Sequence, residues 1–230
     1  MTIVAIDSSG PIAGIAVVRD DVLIAEYNVN YKKKHSQTLL PMLEEVMNMV
    51  EMQISQVDAI AVTAGPGSFT GLRIGSAMAK GLACALGKPI IPVKTLSALA
   101  WNMYGFSGII CPIMDARREQ VYNALFTCGK NGIEAVTEQR AIAMRDVIRE
   151  LNEKGRPAAF LGDGVPVYRD IIEEEIKVPC IFAAAGQDRQ RASSVAAEAM
   201  RLFEEGNVVT GDEFRPVYLR KSQPEQAKEK

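Results

Sequence analysis

Two apolar runs rich in β-branched residues each meet an aspartate that opens a turn, and they lie about half a chain apart. The first, residues 2–8, leads into Asp7-Ser8-Ser9-Gly10-Pro11; the second, residues 109–114, leads into Asp115-Ala116-Arg117-Arg118. Each is followed at once by a returning apolar run, the pattern of a hairpin. After the first, the chain reads strand 12–18, strand 22–29, helix 36–52, strand 57–63, helix 70–86, strand 90–93 and helix 95–104. After the second it reads strand 121–127, strand 133–139, helix 144–154, strand 158–161, a Gly162-Asp163-Gly164 turn, and helices 165–176 and 192–205. The repeated order predicts a duplicated α/β unit, two lobes each with a mixed sheet flanked by helices. We divide the chain into lobes 1–104 and 105–220 and a polar tail, 221–230.

Charge and composition narrow the chemistry. Lys+Arg 26 against Asp+Glu 28 leaves a net charge of -2. A chain that grips nucleic acid unaided carries a basic excess, so any such role is expected to be shared with a partner. His35 is the one histidine. It excludes a zinc site built on several histidines and leaves a Ser-His-Asp triad a single imidazole. Cys84, Cys111, Cys128 and Cys180 form no Cys-x-x-Cys pair, and the first residues hold an acid where a signal peptide needs a base. Reduced thiols in the cytoplasm are expected. No apolar run approaches the ~20 residues of a membrane span. No motif calls for a cofactor or a metal.

Two helices are unusually broad in their apolar coverage. At 100° per residue, Leu39, Leu40, Leu43, Val46, Met47 and Val50 fill one arc, and Met42 and Met49 widen it to about 180°. In the next helix, Gly71, Leu72, Ile74, Gly75, Met78, Ala79, Gly81, Leu82, Ala83 and Leu86 cover about 200°. Packing on a sheet needs only about 100°. Gly71, Gly75, Ala79 and Ala83 recur every fourth position, and helical glycine costs about 0.5–1 kcal/mol, so close approach of another backbone is expected. Packing on the chain's own sheet explains one face and not the extra width. We expect a second chain to cover the rest, with Leu39, Met42, Leu43, Met47, Gly71, Ile74, Gly75, Met78, Ala79 and Leu82 at the contact.

Gly65-Pro66-Gly67-Ser68-Phe69-Thr70-Gly71 joins a strand to a helix start, where anions are favoured. It matches neither established phosphate-loop pattern, so a capped tight turn competes with a phosphate role. Asp7, Ser8 and Ser9 have the same two readings: a metal-phosphate cradle, or a strand end bonding its own turn.

The run from Gly65 to Gly75, with Ile-Asp-Ser-Ser near the start, His35-Ser36-Gln37-Thr38-Leu39-Leu40-Pro41, Ala79-Lys80-Gly81-Leu82-Ala83, Thr95-Leu96-Ser97-Ala98-Leu99-Ala100, Asp115-Ala116-Arg117-Arg118 and Pro216-Val217-Tyr218-Leu219-Arg220, resembles the TsaB (YeaZ) family. The resemblance implies an actin/Hsp70-type fold and a non-catalytic part in making threonylcarbamoyladenosine at tRNA position 37. It implies a TsaD-like transferase and a TsaE-like ATPase as partners, self-association as a homodimer, and contact with tRNA through the complex, away from membranes. TsaD-type proteins hold a metal with two histidines where this chain has Thr95 and Leu99, and neither replaces an imidazole. Asp7, Ser8, Ser9, Asp115, Arg117, Gly162 and Gly164 are then candidate remnants of a nucleotide or phosphate site. Arg117 and Arg118 stand where small residues would let backbone reach phosphate, though their charge suits a partner's site or tRNA.

Three rival readings remain. An ATP-using enzyme of the actin/sugar-kinase type would use Asp7 for metal, Asp115 to assist and Gly162-Asp163-Gly164 near adenosine. A peptidase is poor on chemistry, with one imidazole for the usual set of nucleophile, base and orienter. Simple self-assembly needs no tRNA. The Lys32-Lys33-Lys34 triplet reads as a solvated turn.

Overall fold

A computed structural model describes residues 1–31 and 34–220. The tail 221–230 and most of the lysine triplet lie outside the described residues. In chain order the elements are β1 (Thr2–Asp7), β2 (Ala13–Arg19), β3 (Val22–Val29), α1 (His35–Met49), β4 (Ala59–Gly65), α2 (Phe69–Leu86), β5 (Ile90–Lys94) and α3 (Thr95–Trp101). There follow β6 (Ile109–Asp115), β7 (Gln120–Asn123), β8 (Phe126–Gly129), β9 (Gly132–Ala135), β10 (Arg140–Ala143), α4 (Met144–Lys154), β11 (Ala158–Leu161), α5 (Val165–Glu175), β12 (Cys180–Phe182) and α6 (Ala192–Glu204).

The two sheets repeat one topology. The first has order β3-β2-β1-β4-β5 and the second β10-β7-β6-β11-β12, with β8 pairing β6 and β9. In each, the founding strand has an antiparallel hairpin partner on one side and a parallel strand on the other. This is the duplicated α/β unit expected from the two Asp-terminated strands, and it has the actin/Hsp70-type form that the resemblance implies. Period-two alternation places Val4 and Ile6 on the face under α1 and α2, and Ile3 and Ala5 on the face under α6. In the second sheet, one face packs with α4 and α5 and the other with α3, β8 and β9.

Four expectations are corrected. The first helix ends at Met49, not 52, because Glu51 turns left-handed at φ 52. The expected strand 121–127 is two strands, since the chain breaks at buried Ala124 and Leu125. β10 and β12 were not read as strands. The division at residue 105 also misplaces the C-terminal return. Ala192, Val195, Ala196 and Ala199 of α6 seal the first sheet, Val209 bridges Ile90, and Phe214 joins the core beneath α1 and α2.

Candidate functional site

The β1–β2 turn is the structural hub. Asp7 Oδ1 accepts from Ser9 N–H (2.8 Å), Ser9 Oγ (2.7 Å) and Thr63 Oγ1 (3.2 Å). Burial pushes the Asp7 carboxyl above its ordinary pKa, with those bonds and the nearby His35 opposing. The carboxyl is therefore engaged with its own turn, the plainer of the two readings. Among the described residues, no group of three or more His, Cys, Asp or Glu is placed to hold a metal ion.

The same turn explains the glycine stripe. A Cβ on Gly71 would lie 2.0 Å from the Ser8 carbonyl oxygen, and one on Gly75 would lie 2.3 Å from Ser8 Oγ. Ser8 Oγ donates to Gly71 O (2.9 Å), and the Ser68 N–H donates to Ser9 O (2.7 Å). The backbone that approaches α2 at Gly71 is thus the chain's own, and at Gly75 the close neighbour is the Ser8 side chain. Ser68 Oγ caps the helix at Gly71 N–H, and Gly87 closes it in the left-handed conformation. His35, at the start of α1, places Nε2 2.9 Å from Gly10 O. Both helices are fastened to one turn.

Between the lobes lies a cleft of about 520 Å³. Ser9, Gly10 and Gly67–Phe69 line one wall, and Asp115–Arg118, Tyr122 and Asp163 the other. Asp115 Oδ1 accepts from the Arg117 N–H (2.8 Å), and its Oδ2 pairs with the Arg117 guanidinium (3.2 Å). Arg117, Arg118 and Glu119 all have left-handed φ: 64, 56 and 56°. Burial pushes Asp163 up to about 6, with Asp115 adding and Arg189 opposing; its Oδ1 is buried without a partner. Gly162 and Gly164 serve packing: added Cβ atoms would meet the Ile113 carbonyl oxygen at 2.1 and 3.0 Å. Asp163 between them lines the cleft.

A C-terminal strap borders the cleft. Val217 N–H donates to Ala64 O (2.7 Å), and the Tyr218 and Phe69 rings meet at 4.7 Å. The Arg73 guanidinium sits 3.9 Å over Phe69, and Arg220 donates to the carbonyls of Ala116 and Arg117. Phe69, Tyr218 and Arg220 have no site role in the sequence reading, and Asp163 has one only in the rival ATP-using reading. The Pro216–Arg220 run was the signal available for two of them.

The α1–α2 face divides more sharply than the arcs implied. Leu39, Met42, Leu43, Met47, Gly71, Gly75 and Ala79 are buried by the chain's own first sheet and turn. A second chain cannot touch them in this conformation, so these seven are corrected to core residues. Ile74, Met78 and Leu82 are half-buried along the helix pair. Leu40 and Met49 are 59% and 79% exposed, and Ala77, Gly81, Cys84 and Ala85 are exposed on α2. Gly81 would have nothing within 4 Å of an added Cβ. Thr95 and Leu99 are both buried in α3.

The family model of TsaD, tRNA N6-adenosine threonylcarbamoyltransferase, matches residues 23–228. The tRNA threonylcarbamoyladenosine biosynthesis protein TsaB of Bacillus subtilis (strain 168) is 39% identical over 196 residues, 85% of this chain and 86% of that protein. YeaZ from Pseudomonas aeruginosa superposes with a TM-score of 0.80 at 25% identity, covering 95% of this chain and 99% of that one. The ROK hexokinase of Thermus thermophilus, at 12% identity and a TM-score of 0.50, covers 90% of this chain and 100% of its own, and shares the fold alone. No helix among the described residues is long and apolar enough to cross a membrane. By the match to the family model and to the Bacillus protein, this chain belongs to the TsaB (YeaZ) family.

Proposed function

We propose that the chain is a non-catalytic subunit in the synthesis of threonylcarbamoyladenosine at position 37 of tRNA. In this reading it docks a TsaD-type transferase on the outer α1–α2 face and holds it in an active form, with a TsaE-type ATPase also required. The same face serves a homodimer when the transferase is absent. One observation carries the reading: the helix pair keeps apolar side chains that its own fold leaves uncovered or half-covered, two of them on opposite flanks of α1 and a row along α2. Leu40 and Met49 stand out on α1, while Ile74, Met78 and Leu82 run beside small, exposed Ala77, Gly81 and Ala85 on α2. Gly81 is the sharpest point. A glycine mid-helix costs about 0.5–1 kcal/mol, and the lone chain has no close neighbour there to require it. Close helix–helix approach across an interface requires it.

The cleft supports a non-catalytic role. Arg117 and Arg118 occupy the second turn, where an independent ATP-using enzyme needs short side chains, and Asp7 Oδ1 is already held by Ser9 and Thr63. Reconstitution tests the whole reading. Modification of tRNA by the transferase and ATPase should depend on this chain, and the mass of the complex should show it bound. Full modification without it sinks the proposal.

A further inference from the structure

We propose that the mouth of the interlobe cleft is a contact surface for unpaired RNA, its arginines taking backbone phosphates and its aromatic pair a base. The proposal rests on the function proposed above for the identity of the RNA, a tRNA.

Three cations converge on one rim. Arg117 and Arg118 come from the β6–β7 turn and Arg220 from the C-terminal strap, and all line the cleft. The Arg117 side chain is 80% exposed although its partner Asp115 is only 14% exposed, so the guanidinium stays open to solvent on its outer side. The turn holds three consecutive non-glycine residues in left-handed backbone, where glycine would sit without strain. Arg220 braces it through the carbonyls of Ala116 and Arg117. A strained turn that spends its positions on long cationic side chains points to a ligand for those charges.

The adjoining wall supplies the other half of the chemistry. Arg73, Phe69 and Tyr218 are in serial contact, the guanidinium over the Phe69 ring and the two rings tilted at 41°, with Tyr218 exposed at the end. Arginine for phosphate and an aromatic face for a base is the combination that recognises single strands. Deeper in the cleft stand Asp115 and Asp163, which repel phosphate. The anion is thereby kept at the rim, where a passing chain fits better than a triphosphate seated inside. Glu119, exposed on the same turn, limits the strength of the patch. A local patch on a chain of net charge -2 suits RNA held jointly with a partner.

The test uses the full chain assembled with its transferase and an unmodified tRNA transcript, with affinity measured across a salt series. The double variant Arg117→Gly/Arg118→Gly relieves the left-handed strain but leaves Asp115 without its ion-pair partner, so its far-ultraviolet dichroism and the mass of the complex, both expected to be unchanged, establish that it folds and assembles. Its tRNA affinity should fall at least about tenfold near 0.1 M salt, and the salt slope should become shallower by about 1.4. Lysine at both positions should restore the slope. Unchanged affinity and slope in the glycine variant overturn the proposal. So does displacement of tRNA from the rim by micromolar ATP, which would assign the cleft to a free nucleotide. Should the wild-type chain not assemble with a transferase, the subunit reading fails, and the same titration on the chain alone decides this one.

Discussion

Asp163 shows how far a single side chain can depart from what its neighbours in sequence suggest. Between two glycines it read as turn punctuation, but folding buries it beside Asp115 and pushes its carboxyl from the ordinary 3.8 up to about 6. The folded chain therefore binds that proton more tightly than the unfolded chain does. Stability falls as pH rises from about 4 to about 6, by no more than ~3 kcal/mol. Asp163→Asn should raise the thermal midpoint at pH 7 and leave it nearly unchanged at pH 4; equal effects at both would show that the charge is not the cause. Gly71 teaches the complementary lesson. Its four-residue recurrence with Gly75 was legible, and the need for close backbone approach was correctly inferred. Which backbone approaches was not legible, because the Ser8 carbonyl comes from 63 residues away. Gly71→Ala should lower stability by about 1–3 kcal/mol in urea denaturation, since backbone on both sides leaves the methyl no room.

At the level of elements, helices with clear amphipathic spacing and caps were readable almost to the residue, as with α4 and the Gly87 end of α2. Short strands were not. β10 and β12 have four and three residues, none of them fully buried, so they lack the apolar alternation that marks a strand. The width of the α1 and α2 arcs was also legible, but the arcs do not say where burial stops. Seven of the ten expected contact residues are core, and interface tests must follow the true outer face. Met78→Glu and Met49→Glu should abolish association with a transferase while the isolated chain keeps its far-ultraviolet dichroism, because a charge left buried and unpaired costs several kcal/mol. Normal co-elution of both variants would remove this face from the proposal. Gly81→Ala should stabilise the isolated chain by about 0.5–1 kcal/mol and yet weaken association. A stabilised variant that binds as before would mean that the glycine is incidental.

For the molecule as a whole, the duplication was legible because both lobes begin with the same strand-to-aspartate signal. The return of the chain to its first lobe was not, since α6 is a long amphipathic helix with nothing local to say which sheet it covers. The face formed by Ile3, Ala5, Ala16, Ala59 and Ala61 is sealed by Ala192, Val195, Ala196 and Ala199. A fragment of residues 1–104 should accordingly be insoluble or bind the dye ANS strongly; a soluble, dye-silent fragment would show that the sheet tolerates its bare face.

That seal also has a consequence for biosynthesis. At roughly 5–20 residues per second, the first sheet leaves the ribosome many seconds before the helix that closes it. During that interval the nascent chain carries an open greasy flank, and compaction of the first sheet awaits α6. Ribosome stalling before α6 emerges would thus strand a sticky intermediate, making the codons for that helix a checkpoint for the sheet made long before it.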